Sequence, residues 1–263
     1  MVSLRSYAQG IWRARYFWLH LAYADLKYKF RRSKLGLLWS MVMPLVLTLM
    51  MTLIFGSLFK TQISEYAPYV LSGLIVWDFI VSCVVGGCGS ILVSEAYIKQ
   101  FRHPIAIYPL KTTIVNISTF LIAFLSLLVW LILSNPQHVM LGLLSLPLSI
   151  LCLVLLGFPL TIFTSFTHIK YRDFAQVIGL VMQLAWYLSP VFFKREMFSS
   201  PKLGMLIQFN PISHVLDLIR EPFLYGRWPS LTNYAVVLGT ALCFYIIAYI
   251  RIRREESSLI FYF

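Results

Sequence analysis

The chain has 263 residues and a formal net charge of +12, yet only 12% of its residues are charged and 59% are hydrophobic. Soluble domains run at roughly 45–50% apolar and about 25% charged, so a soluble fold of this length could not hide the apolar surface, and lipid is the expected solvent. The cations gather at the ends of apolar runs, which argues for headgroups or an anionic substrate and against nucleic acid.

In chain order, residues 11–32 predict a basic amphipathic helix. At about 100° per residue, Trp12, Tyr16, Leu19, Ala22, Tyr23, Leu26 and Phe30 share one face, opposite Arg13, His20, Lys27 and Arg31. Phe17 and Tyr28 oppose the stripe. Such a helix lies in the membrane interface, or it packs on its own protein as an ordinary helix. Residues 25–44 then form a basic collar, Lys27, Lys29, Arg31, Arg32 and Lys34, feeding straight into a charge-free run over residues 35–59. That run is longer than the ~7–15 residues of a signal-peptide core and begins too late, so the N-terminus is expected to be retained.

Further spans are expected over residues 67–93, 110–133, 140–166, 174–193 and 234–250, giving six. The second carries Asp78 and a small-residue tract, Gly86 to Ser90, suited to close helix approach. Lys111 is placed to snorkel at the start of the third span. Pro147 and Pro159 are expected to interrupt the fourth, and Pro190 lies near the end of the fifth. The 194–233 segment is long and still apolar. Asn210-Pro211-Ile212-Ser213 predicts a turn into a short helix, with Ser213 as N-cap and Pro222 as its stop near Glu221. Two short helices dipping into the membrane surface fit this segment, as does a plain extramembrane loop.

Six spans leave both termini on one side. That side holds sixteen Lys and Arg against six opposite, so it is expected to be cytoplasmic. The predicted organisation is one domain over 1–263: a cytoplasmic amphipathic region over 1–34, a six-span bundle over 35–251 and a cytoplasmic tail over 252–263.

The catalytic vocabulary is thin. No glycine is followed by lysine, so a phosphate-cradling Gly-Lys loop is missing, and neither His-Glu-x-x-His nor Gly-x-Ser-x-Gly occurs. The five histidines show no metal spacing, and the four cysteines sit singly in apolar runs as packing residues. Asp78 is the one acid inside the expected spans, which disfavours a membrane-embedded transferase needing an acid cluster. It either lines a wet pathway in the outer half of the bundle or is a hydrogen-bonded structural aspartate. The collar has two readings as well: a topology signal in contact with lipid, or a dock for an anionic head such as a pyrophosphate, gripped by Arg and Lys.

Asp25-Leu26-Lys27 through Arg31-Arg32-Ser33-Lys34-Leu35-Gly36-Leu37-Leu38-Trp39, closing at Pro44, resembles the permease subunit of type-2 ABC exporters for bacterial surface polysaccharides: O-antigen, capsule and teichoic acid. Ser72-Gly73-Leu74-Ile75-Val76-Trp77-Asp78-Phe79, Tyr171-Arg172-Asp173, Ser189-Pro190-Val191-Phe192 and Asn210-Pro211-Ile212 follow in family order, although that family often has an uncharged residue at the Asp78 position. The resemblance implies an all-α, multi-pass protein of the bacterial inner membrane that is not itself an enzyme. It implies a homodimer working with two copies of a separate ATPase, which binds the ATP and Mg while this chain carries no cofactor. Residues 94–107 would couple to that ATPase, with Glu95, Tyr97, Lys99, Arg102 and His103 as contacts. The 194–233 segment would form periplasmic gate helices, with Asn210, Pro211, Arg220 and Glu221 at the gate. The cargo would be a polysaccharide on undecaprenyl pyrophosphate, O-antigen before capsule or teichoic acid. A drug or lipid permease and an envelope assembly protein are the other readings. Trp39, Phe55, Asp78, Trp186 and Tyr187 are candidate channel-lining residues, because aromatic rings offer flat, weakly binding surfaces to sugars.

Overall fold

The structure, a computed structural model, describes residues 4–31, 33–59, 62–101, 103–194, 207–256 and 259. Among the described residues all regular structure is helical, with no strand. The chain opens with α1 (Leu4–Arg13) and α2 (Arg15–Phe30). The expected single helix is therefore two, broken at Ala14 (φ −83°, ψ 12°). The break is held by Trp18, whose indole N–H donates to the Ile11 carbonyl at 3.0 Å. The predicted stripe splits: Trp12, Tyr16, Leu19 and Tyr23 are exposed, whereas Ala22 is buried and Leu26 half-buried. The face that packs is Ala14, Leu21 and Ala22, flanked by half-buried Phe17 and Trp18. The helix thus has apolar groups on two faces, one for the protein and one turned outward.

Among the described residues five helices are long and apolar enough to cross a membrane: Gly36–Gly56, Ile63–Gly89, Ile107–Ser134, Pro136–Lys170 and Leu231–Glu255. Their α-helical parts are α3 (Trp39–Phe59), α4 (Ile63–Val84), α6 (Ile107–Ser134), α7 (Val139–Lys170) and α10 (Leu231–Glu255). Between α4 and α6 lie two short 3₁₀ turns, Gly86–Gly89 and Leu92–Ser94, and the six-residue α5 (Glu95–Gln100). The helix of the second expected span thus gives way to tight turns before residue 93. Its small-residue tract allows the close approach expected of it, since Gly87 lies against Thr161 and Thr164.

The fifth expected span is shorter than its apolar run. α8 (Phe174–Leu188) has 15 residues, about 22 Å of helix against a hydrocarbon core of roughly 30 Å. It stops because Ser189 is extended (φ −109°, ψ 143°) ahead of Pro190, whose ring disfavours helical geometry in the residue before it. Among the described residues there are therefore five long apolar helices and one short one.

Two other proline readings are corrected. α7 runs 32 residues straight through Pro147 and Pro159, as membrane helices tolerate when their neighbours take up the freed backbone groups. α9 (Pro211–Leu224) likewise continues through Pro222. That proline denies an N–H to the carbonyl four residues back, Leu218, which instead accepts from the Ser149 hydroxyl of α7 at 3.0 Å. The N-cap of α9 is Asn210, whose Oδ1 accepts from the Ile212 N–H at 2.9 Å, and not Ser213, which is buried.

The main core joins α4, α6, α7 and α9 through residues such as Leu71, Phe79, Phe124, Leu153 and Phe223. A second cluster, including Leu21, Ile91, Tyr108, Phe166 and Ala248, ties α2 to the same end as the last turns of α10. Cys83, Cys88 and Cys152 are buried and Cys243 is exposed, all as free thiols. Burial is uneven: 67% of the most apolar window of the second span is buried, against 11% of the first and 17% of the last. α4 is therefore the central post, while α3 and α10 keep most of their surface for lipid or another chain.

Candidate functional site

Three of the short motifs, those around Ser72-Gly73, Ser189-Pro190 and Asn210-Pro211, meet at one place, the end of the bundle away from α1 and the last turn of α10. Arg220 of α9 is 2% exposed. Its guanidinium donates to the carbonyls of Pro190 (2.6 Å), Val191 (2.6 Å) and Tyr69 (3.0 Å), approaches the Ser72 hydroxyl at 3.4 Å, and stacks 3.7 Å from the Tyr69 ring centre. A planar fork of five N–H groups suits several converging carbonyls in a way a lysine does not. The Tyr66 hydroxyl donates to the Phe192 carbonyl at 2.9 Å, and the Tyr69 hydroxyl lies within reach of the Pro190 and Phe193 carbonyls. Asn210 donates to the Leu188 carbonyl and the Ser189 hydroxyl. Every stretch of loop backbone from Leu188 to Phe193 is thereby held.

Gly73 is where this loop touches α4. A Cβ there would stand 2.2 Å from the Val191 carbonyl oxygen and 2.5 Å from the Arg220 guanidinium, so no larger residue fits without moving the loop. Beside it, Glu221 takes a separate set of donors: Arg227 at 3.2 Å, the Ser230 N–H at 2.8 Å and Asn233 Nδ2 at 3.0 Å. His214 adds a 2.7 Å contact to Asn233 Oδ1. Of the four residues expected at a gate, Arg220 and Glu221 are buried pinning groups of this knot, Asn210 is a half-buried cap, and Pro211 is exposed in the first turn of α9. Residues 195–206 of the same segment lie outside the described residues.

The opposite end carries the collar. Lys27, Lys29, Arg31 and Lys34 are exposed, whereas Arg32 lies outside the described residues. Two contacts fix how the collar meets the bundle. Asp25 of α2 pairs at 2.6 Å with Lys111 of α6, so the expected snorkelling is replaced by an ion pair between a half-exposed carboxylate and a buried ammonium, Lys111 being 3% exposed. The Ser33 hydroxyl accepts from the Trp39 indole at 2.9 Å and faces the Gly36 N–H at 3.3 Å. Gly36 itself has φ +52°, a left-handed conformation that glycine adopts without strain. Sequence reasoning weighed these residues as part of a motif; their contacts turn them into a stapled corner between α2 and α3.

Asp78 is exposed in a stretch of α4 whose neighbours are buried, near the C-terminal end of that helix. It therefore belongs to the half of the bundle nearest the collar, not to the outer half. The candidate lining residues divide. Phe55 and Trp186 both reach Phe192, with ring centres 5.5 and 5.8 Å away, and Trp186 also meets Trp77 at 5.1 Å. Trp39 sits at the collar corner and Tyr187 is exposed, so neither joins that cluster.

The expected coupling segment is anchored by Phe17, which the amphipathic pattern left on the wrong face. Its ring packs within 4.8–6.3 Å of His103, Phe101 and Tyr97. Glu95 pairs with Lys99 one turn on, and Arg102 lies outside the described residues. The Glu256 carboxylate accepts from the Tyr7 hydroxyl and from the Ile105 N–H, each at 2.9 Å. Burial and then the Glu256 charge push the Tyr7 hydroxyl above its usual range, so it stays a donor. Among the described residues no three His, Cys, Asp or Glu side chains gather to hold a metal.

Residues 17–224, from Phe17 through the end of α9, match the family described as ABC-2 type transporter. Two proteins of Klebsiella pneumoniae, each named O-antigen export system permease protein RfbA, are 25% and 24% identical over 202 residues, covering 77% of this chain and 78% of theirs. A protein of that name from Myxococcus xanthus is 21% identical over 213 residues, 81% of this chain and 82% of its own. The matched region contains the collar, the stapled corner, residues 94–107 and the Arg220 contacts. This chain belongs to the ABC-2 type transporter family, as a multi-pass membrane subunit that is the transport part of its machine and not itself an ATPase.

Proposed function

We propose that this chain forms the membrane channel of an exporter that moves a lipid-linked polysaccharide, O-antigen on undecaprenyl pyrophosphate, from the cytoplasm to the periplasm. The observation that carries this reading is the similarity to O-antigen export permeases over about four-fifths of the chain. ABC-2 membrane subunits pair with an ATPase subunit. In this reading two copies of the chain pair with two such ATPases in a bacterial inner membrane, both termini cytoplasmic, and α8 with the loop after it serves as the sixth span.

Two features support the details. Sixteen of twenty-two cations fall on the side of the termini, as the positive-inside rule requires of a cytoplasmic face. α3 and α8 carry exposed apolar residues along most of their length, including Leu49, Met50, Leu53, Leu180 and Leu184, a surface suited to a second copy around a shared path. The exposed cations Lys27, Lys29, Arg31 and Lys34 then receive the pyrophosphate, and Phe17 seats the coupling segment for the ATPase.

The test is deletion of the gene in its host. Lipid-linked glycan should accumulate in the cytoplasmic leaflet and surface glycan should disappear. Complementation with R31E/K34E should restore membrane levels, with stability within about 0.5 kcal/mol of wild type, but not export. Normal surface glycan in the deletion strain rules out the export role; normal export by R31E/K34E rules out the docking role of the collar.

A further inference from the structure

A cavity of about 770 Å³ lies between α1, the start of α6, α7 and the last turns of α10, within the roughly 300–1,000 Å³ of ligand sites. Its inner walls are apolar: Ile11, Phe158, Ile162, Tyr245 and Ala248. Its other end is polar. Arg253 and Arg254 line it from the basic last turn of α10, with Tyr7 and Glu256 beside them. Tyr245 and Arg254 stand nine positions apart on one helix, about 14 Å along its axis. The cavity therefore runs from membrane depth to headgroup level and changes polarity on the way.

The two acids at this end are both engaged. Glu256 is engaged by Tyr7 and the Ile105 N–H, and Glu255 pairs with Arg251 at 3.2 Å. Arg253 lies 4.9 Å over the Tyr249 ring. Among the described residues neither Arg253 nor Arg254 has a carboxylate partner, so the polar end offers two cations. An apolar slot with a dicationic rim matches an amphiphile with a negative head. We infer that this cavity binds an anionic membrane phospholipid, its acyl chain against Phe158, Ile162 and Ala248 and its phosphate at Arg253 and Arg254. Ala106 also lines the cavity, next to the Ile105 N–H that Glu256 holds, so the lipid sits against the coupling segment. The assignment does not depend on the exporter's cargo.

The experiment is native mass spectrometry of the full-length chain released from nanodiscs containing equal phosphatidylglycerol and phosphatidylcholine. Wild type should retain phosphatidylglycerol roughly tenfold over phosphatidylcholine. R253A/R254A should bring the two near parity, while R253K/R254K should keep most of the preference. Ala248→Phe, which fills the slot without touching charge, should lose retention of both lipids, with circular dichroism verifying the helix content of each variant. Equal retention of the two lipids by wild type overturns the inference. So does a preference that survives R253A/R254A, undiminished retention in Ala248→Phe, or a polyprenyl phosphate recovered from wild type in place of phospholipid.

Discussion

The two ends of this molecule are built on opposite principles. At the end away from the termini, Arg220, Glu221, Asn210, Tyr66 and Tyr69 spend their polar groups inside the protein, on backbone and on each other. At the end with the termini, most of the described cations stay exposed, and the peripheral helices are tied down by the apolar cluster around Leu21 together with the contacts of Asp25, Ser33, Phe17 and Tyr7. Buried polar groups are costly unless paired, and once paired they hold a single geometry. Exposed charges contribute little to stability and remain available to partners. The first end is organised to stay put, and the second to be touched.

The comparison can be broken most directly at Arg220. R220A strands three backbone carbonyls and leaves a cavity, an expected loss on the order of 4 kcal/mol in denaturant or thermal unfolding of the purified chain. R220K should fall between, because an ammonium cannot span the fork. An R220A variant as stable as wild type would mean that the knot is not what holds the 188–193 loop. Next in size is Gly73→Ala, expected to cost about 1–3 kcal/mol through overpacking against Val191.

At the other end the effects should be smaller and should separate stability from function. Asp25→Leu leaves the Lys111 charge buried and unpaired. Because Asp25 is itself half-exposed, the expected loss is about 1–3 kcal/mol, and adding Lys111→Met should recover most of it. Failure of the second change to rescue the first would argue that the pair does not couple α2 to α6. Smallest in stability is Phe17→Ala, at about 1 kcal/mol. Its larger effect should be on coupling: ATP turnover by the assembled transporter should become insensitive to substrate while binding of the ATPase subunit weakens.

The fold class was readable because a membrane helix announces itself by length and composition alone, and the apolar runs around Leu71, Phe124 and Leu153 became helices. Helix ends were less readable. Pro147, Pro159 and Pro222 look like stops in water, yet the helices run on through all three, and at Pro222 a neighbouring hydroxyl, that of Ser149, takes up the freed carbonyl. Phe17 looked misplaced because periodicity finds one apolar face, and α2 has two. The knot was visible only as separate short motifs, Ser72-Gly73, Ser189-Pro190 and Asn210-Pro211. Nothing in their spacing says that Arg220 joins them, since the contact from Arg220 to Tyr69 spans 151 positions.

The bond from Ser149 to the Leu218 carbonyl has a genetic consequence. The hydroxyl is useful there because Pro222 leaves that carbonyl without its helical donor. The two residues should therefore show epistasis. Ser149→Ala should be harmful in this background and close to silent once Pro222 is replaced by alanine, which restores the missing N–H. In a lineage of such proteins, either residue should be lost more readily when the other has already changed.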